Sequence, residues 1–232
     1  MRGLFVTGTD TGVGKTIVSA CLLAAMVAAG ERPRAHKPVV TGLDELDAQT
    51  GPGGWPADHE LLAFVAGMTP EEVSPLRYGP AVSPHLAAEL AGELIDPRQL
   101  LIQAREAAGD SKNPRTVIVE GVGGLLVPLT AGYTVCDFAV ELALPTLIAS
   151  RPGLGTINHT LLTLRCARAA GLDVRTVVLT PWPRKPSPME ISNRETIARI
   201  GDIEVQTLSQ VSGPDPALLA RAGAGLPWKR WL

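Results

Sequence analysis

The sequence predicts a single-domain α/β fold: one doubly wound, mainly parallel sheet with helices on both faces. Three observations predict it. Short β-branched or apolar runs at 4–6, 116–119, 145–149 and 174–179 alternate with helical segments, the pattern of successive βαβ units. A glycine-rich turn, Gly8-Thr9-Asp10-Thr11-Gly12-Val13-Gly14-Lys15-Thr16, joins the first run to a long Ala-rich segment. The chain has 232 residues, 45% of them apolar, which suits one sizeable core.

The turn comes first. A strand, a tight glycine turn and a helix point successive backbone N–H groups inward as an anion cradle, and the helix start adds its own unpaired N–H groups. Lys15 then reaches the β/γ-phosphates and the Thr16 hydroxyl is placed for Mg²⁺. The spacing is one residue longer than the standard phosphate-loop pattern, with five residues between Gly8 and Gly14 and Thr9 at the usual glycine position. Its context, closing the first strand and opening the first helix, is the one the motif requires, and it makes the fold one of the P-loop NTPase type.

Residues 16–29 read as a helix apolar nearly all round, hence buried, with Gly30 as its stop. Residues 34–40 read as a second strand leading into Lys37-Pro38-Val39-Val40-Thr41-Gly42. A lysine at a strand's carboxyl end faces the crevice where open α/β sheets bind ligands, or is a solvated strand-end lysine; the residues alone leave both open. Residues 43–57 are rich in Gly and Pro and read as a loop. Asp58 precedes a helical pattern closed by Gly67, and is either its N-cap or a carboxylate facing a nucleotide-bound Mg²⁺.

Helix starts follow at Thr69-Pro70, Ser83-Pro84 and Asp96-Pro97, the last running to about Gly109; these helices are expected on one face of the sheet. Residues 110–115 form a polar turn. The run 116–119 is the cleanest central strand and delivers Glu120 to its tip, followed by Gly121-Val122-Gly123-Gly124. In a phosphate-loop protein an acid there organises Mg²⁺, the other reading being an acid exposed on a glycine loop, and the glycines admit close approach of phosphate or substrate.

Residues 126–129 read as a short extended piece, 134–143 as a helix with Asp137 in its first turn, and 145–149 as a strand. The loop 151–155 runs into a helix over 156–170, whose start is a second anion site. Residues 174–179 are the last clear strand. A proline-rich loop over 180–188, a helix over 190–200 and a Gly/Pro/Ala-rich tail complete the chain, with Trp228 and Trp231 expected in packing or subunit contact.

The function classes that fit are narrowed by charge. The formal net charge is −2 and aromatic residues make up 4%, so neither a basic field nor a stacking surface for nucleic acid is present. No stretch reads as a membrane span or a signal region. Cys21, Cys136 and Cys166 are scattered and fit reduced thiols, and a cytoplasmic home is expected.

Taken together, the segments 8–16, 37–42, Ser83-Pro84-His85, 119–124 and 154–160 resemble the dethiobiotin synthetase family, in that family's order and over roughly the first 165 residues. The family's phosphate loop has the same longer glycine spacing. The resemblance implies an ATP-dependent ligase of biotin synthesis that joins CO₂ to 7,8-diaminopelargonate. Lys37 and Lys15 are then catalytic, and Thr16, Asp58 and Glu120 hold Mg²⁺. Nucleotide lies against Gly12, Val13, Gly14, Lys15, Thr16, Ile17, Asp58, Glu120, Gly121, Val122, Gly123, Thr180 and Pro181. The diamine lies against Thr11, Lys37 and Thr41, with Leu154, Gly155 and Asn158 of a neighbouring subunit, which implies a homodimer. The resemblance fails at 180–232, the base side: Thr180-Pro181-Trp182 replaces an adenine-reading Asn, which predicts weak base selectivity. Two other families share parts of this pattern. A cobyrinate-type amide ligase usually carries a glutaminase domain, for which this chain is too short. A partition- or division-site ATPase carries an early loop lysine, where Asp10 stands.

Overall fold

The computed structural model describes residues 1–45, 54–109 and 113–232. The first half of the chain forms β1 (Arg2–Gly8), α1 (Lys15–Ala28), β2 (Arg34–His36), β3 (Val39–Val40), α2 (Asp58–Ala66), α3 (Pro70–Val73), β4 (Leu76–Arg77), α4 (Pro84–Leu90) and α5 (Pro97–Ala107). The second half forms β5 (Thr116–Glu120), β6 (Pro128–Thr130), β7 (Tyr133–Thr134), α6 (Val135–Leu142), β8 (Thr146–Ser150), α7 (Thr156–Ala169), β9 (Val174–Trp182), α8 (Pro188–Gly201), β10 (Val205–Ser209) and α9 (Pro216–Gly223).

Six strands make one parallel sheet in the order β10-β9-β8-β1-β5-β2. From β1 the chain crosses to the edge strand β2, returns to β5 beside β1, and then winds outward the other way through β8, β9 and β10, so the winding reverses beside β1 and β5, at whose carboxyl ends open sheets bind ligands. Register sets Val6 beside Glu120 and Thr7 beside Ile148. β5 and β8 are buried along their whole length, as strands covered on both faces must be. Alternation divides their side chains between two layers. Leu4, Val6, Ile118 and Leu147 pack with α1, α2 and α9, whereas Phe5, Val117 and Val119 pack with α5 and α6 on the opposite face.

Several expectations change. Residues 34–40 are two strands, because the Lys37 N–H bonds to the Val73 carbonyl (2.8 Å) and Pro38 has no N–H to offer; β3 then pairs with β4 outside the main sheet. Asp58 is the first residue of α2, and the N-cap is Ala57, whose N–H is taken by Glu60. The helices between 69 and 107 do not share a face: Val73 of α3 packs on the α1 side, while α4 and α5 lie opposite. β9 continues to Trp182, so the proline-rich loop begins later than expected.

The sequence reading also missed β10, a short edge strand, and α9, which Asp215 caps through the N–H groups of Ala217 and Leu218. α9 crosses α1 so closely that a Cβ at Gly223 would stand 2.1 Å from the Cys21 carbonyl oxygen, and glycine is required there. Trp228 and Trp231, 5% and 2% exposed, close the same layer. Of the expected 43–57 loop, Leu43–Glu45 is a short 3₁₀ turn and 46–53 lie outside the described residues, as do 110–112 of the expected polar turn.

Candidate active site

The glycine turn after β1 has the geometry its residues require. Gly12 and Gly14 have φ of 68° and 95°, left-handed values that L side chains rarely adopt. Gly14 also has no room for a Cβ, which would meet Thr180 Cγ2 at 2.6 Å. Lys15 opens α1 and curls back over the turn, its Nζ donating to the Asp10 carbonyl (2.8 Å). Arg151, from the loop after β8, braces the turn from outside by donating to the Gly12 carbonyl through Nε (3.3 Å) and a terminal guanidinium nitrogen (3.0 Å).

Four side chains converge at the tips of β1, β2 and β5. Lys37 Nζ donates to Asp58 Oδ2 (2.5 Å) and to Glu120 Oε1 (2.6 Å), and the Thr16 hydroxyl donates to the same Glu120 oxygen (2.8 Å). Lys37 and Glu120 are 3% and 0% exposed, whereas the Asp58 side chain keeps half its surface open to the cleft. Burial opposes the charge on Lys37, but Asp58 and Glu120 outweigh it and lift its pKa above the ordinary lysine value. Partial burial likewise opposes ionisation of Asp58, and the Lys37 ammonium outweighs it and holds the carboxyl below the usual range. Lys15 forms no carboxylate salt bridge among the described residues. Burial, reinforced by the like charge of Lys37, pushes its pKa down to about 8.

The donor set suits a hard divalent cation. Glu120 Oε2 is buried without a hydrogen-bond partner among the described residues. The Thr16 hydroxyl spends its proton on the other Glu120 oxygen and keeps its lone pairs for a ligand. Two carboxylates, one hydroxyl and room for phosphate oxygens match Mg²⁺ better than a softer metal. No group of three or more His, Cys, Asp or Glu stands together among the described residues.

These groups open into a cleft of about 550 Å³. Thr11, Gly12, Gly14, Lys15, Thr16, Ile17, Lys37, Thr41, Asp58, Val122 and Gly123 all line it, with Glu120 behind them. Val13, Thr180 and Pro181 line an adjoining pocket of about 280 Å³ with Gln210 and Val211. Gly121 lines neither: a Cβ there would meet Val135 at 3.0 Å and Phe5 at 3.2 Å, so its place is in the packing beneath the strand tip. Leu154, Gly155 and Asn158 stand apart from the cleft at the start of α7; Leu154 is 94% exposed and borders a separate groove of about 160 Å³ with Thr9 and Arg151.

Sequence reasoning missed Trp55, which borders both the cleft and the base-side pocket. An aromatic residue inside a Gly/Pro-rich loop was the available signal. It also missed Arg151 as a brace for the turn, since nothing local announces a bond across 139 positions.

Residues 2–212 match a family described as an AAA domain. The ATP-dependent dethiobiotin synthetase BioD of Mycobacterium sp. (strain JLS) is 38% identical over 239 residues, covering 100% of this chain and 98% of that protein. Its counterpart in Anaeromyxobacter dehalogenans (strain 2CP-C) is 40% identical over 225 residues, covering 96% and 95%. Among solved structures, the MinC:MinD cell division complex of Aquifex aeolicus matches with a TM-score of 0.54 at 16% identity, covering 99% of this chain and 89% of that one. Chloroplast FtsY from Physcomitrella patens matches with 0.53 at 14%, covering 96% and 65%. Those two likenesses show a shared phosphate-loop fold and no more. Full-length similarity near 40%, joined to a phosphate loop with Lys37, Asp58 and Glu120 at its mouth, places the chain in the ATP-dependent dethiobiotin synthetase family.

Proposed function

We propose that this protein carboxylates 7,8-diaminopelargonate with CO₂ and closes the ring at the expense of ATP, giving dethiobiotin, ADP and phosphate. The observation that carries the reading is the buried Lys37 ammonium, shared by Asp58 and Glu120 and set beside Lys15 over a phosphate loop. A reaction that joins a carbamate to a γ-phosphoryl group must bring repelling oxygens together, and two pre-positioned cations lower that cost.

One substrate amine adds to CO₂ and loses a proton, forming a carbamate. A carbamate oxygen takes the γ-phosphoryl group, ADP leaves, and a carbamic-phosphoric anhydride remains. The second amine attacks the carbonyl carbon, the C–O bond to phosphate breaks, and the cyclic urea forms. In this scheme Lys37 stands between carbamate and γ-phosphate, and Lys15 offsets charge on the transferring group. Thr11 and Thr41, both in the cleft lining, contact the diamine. Thr16, Asp58 and Glu120 would hold Mg²⁺, which supplies charge neutralisation across the phosphates.

Leu154, Gly155 and Asn158 lie outside their own cleft and exposed. That placement supports a homodimer in which they serve the partner's substrate, with 180–232 forming the base side of each site. No helix among the described residues is long and apolar enough to cross a membrane, and a cytoplasmic setting belongs to the same reading.

The test is incorporation of labelled CO₂. With ATP and the diamine present, label should enter a ring-closed product and ADP should appear in equal amount. Hydrolysis of ATP that ignores the diamine, with no labelled ring, would sink the reading.

A further inference from the structure

A cluster of four hydroxyls, three of them on buried residues and the fourth on half-buried Thr9, lies outside the cleft and has no part in the scheme above. Ser150, at the end of β8, stands 2.9 Å from Thr156, 2.9 Å from Thr160 and 3.2 Å from Thr9; Thr156 and Thr160 are 3.3 Å apart. Ser150, Thr156 and Thr160 are 1%, 4% and 0% exposed.

Each hydroxyl has one proton and two lone pairs. With Thr160 donating to Ser150, only one assignment fills all four contacts. Thr156 donates to Thr160, Ser150 donates to Thr156, and Thr9 donates to Ser150. A closed ring results, with the phosphate loop attached through Thr9 and every valence of Ser150 used. The Thr9 N–H adds a bond to the Ala149 carbonyl (3.0 Å), and Asn193 Nδ2 pins the next turn by donating to the carbonyls of Pro152 (2.9 Å) and Gly153 (3.2 Å).

We propose that Ser150, Thr156 and Thr160 are positioning residues that couple the phosphate loop to the start of α7, so that a filled nucleotide cleft orders the 154–158 segment for substrate. The ring spans the two elements without touching the cleft, and it has one proton pattern, so a shift at Thr9 is felt at Thr156. The inference rests on the proposed function only for the identity of that substrate.

Thr160→Val keeps the shape and removes two of the four bonds; Thr160→Ser keeps the hydroxyl. Amide hydrogen exchange is followed in the full-length protein with and without a non-hydrolysable ATP analogue and Mg²⁺. In the wild type and Thr160→Ser, nucleotide should slow exchange at residues 9–16 and, at least fivefold, at 155–160. In Thr160→Val only the 9–16 protection should remain, and the KM for the diamine should rise about fivefold while kcat stays within twofold. Ser150→Ala takes the same test if Thr160→Val does not fold. Equal protection of 155–160 in all variants, or none there in a wild type protected at 9–16, overturns the proposal. Because exchange needs nucleotide alone, absence of labelled ring product would count against the function and leave this result standing.

Discussion

The phosphate end of the cleft and its base end are built on opposite principles. At the phosphate end Lys15, Lys37 and Glu120 are buried and charged, and Lys37 is held by two carboxylates. At the other end, where the base is proposed to lie, the pocket is walled by Thr180, Pro181, Val211 and Trp55, with no charged residue among the described ones and Gln210 as its side-chain amide. Removing one partner of a buried ion pair leaves an uncompensated charge, at a cost of about 3–5 kcal/mol. An apolar wall gains or loses only about 1–3 kcal/mol for a small change in what it touches. The phosphate end is therefore fixed by chemistry, and the base end is free to vary.

The largest effect expected from this contrast is at Lys37. Lys37→Ala should lower turnover about a hundredfold or more while nucleotide affinity changes less than about threefold, because the lost stabilisation belongs to the reacting oxygens. Single-turnover kinetics beside equilibrium nucleotide titration separates the two; equal losses in both would make Lys37 an ordinary binding group and erase the distinction between the ends.

A smaller effect is expected from pH, acting through Lys15. Its pKa near 8 in the free protein, against an ordinary 10.5, means that the charge favoured by bound phosphate is lost as pH rises. Affinity for a non-hydrolysable ATP analogue should weaken roughly eightfold between pH 7.5 and 9. The unliganded fold should move the other way. Between about 8 and 10.5 the unfolded chain binds this proton and the native one does not, so stability rises with pH across that window. Affinity flat across the range would mean that Lys15 keeps its proton in the free protein.

The smallest effect is expected at the base end. ATP, CTP and GTP should give kcat/KM values within about tenfold of one another, since no side-chain amide follows the β9 tip and Gln210, beyond β10, is the one amide in the pocket wall among the described residues. A hundredfold preference for ATP would show that the apolar pocket reads the base after all.

The sheet's core strands and the charged site were legible in the sequence because each carries a strong local signal. The run 116–119 is β-branched and ends on Glu120; the glycine turn follows a strand and opens a helix. What escaped depended on distant partners. Residues 34–40 look continuous, and their division follows from the bond to Val73, which no local pattern announces. β10 sets its two buried residues, Val205 and Leu208, three apart across Gln206 and Thr207, so its five residues show no period-two pattern, and as an edge strand it is half polar. α9 lies in a tail whose Gly and Pro content argues for loop, but Pro216 sits at the first helical position and Gly223 marks a close helix crossing. Asp58 shows the converse: an acid at a helix start reads as a cap or a metal-facing carboxylate, and its pairing with Lys37 comes from the fold alone.

The clasp of α9 and the two tryptophans over α1 has a consequence for biogenesis. α1 carries Lys15 and Thr16 and is synthesised early, yet the layer that covers it includes residues made almost two hundred positions later. At ribosomal speeds that delay is on the order of ten to forty seconds. During that interval the apolar side of α1 lacks its cover, and that surface stays open to non-native contacts until α9 arrives.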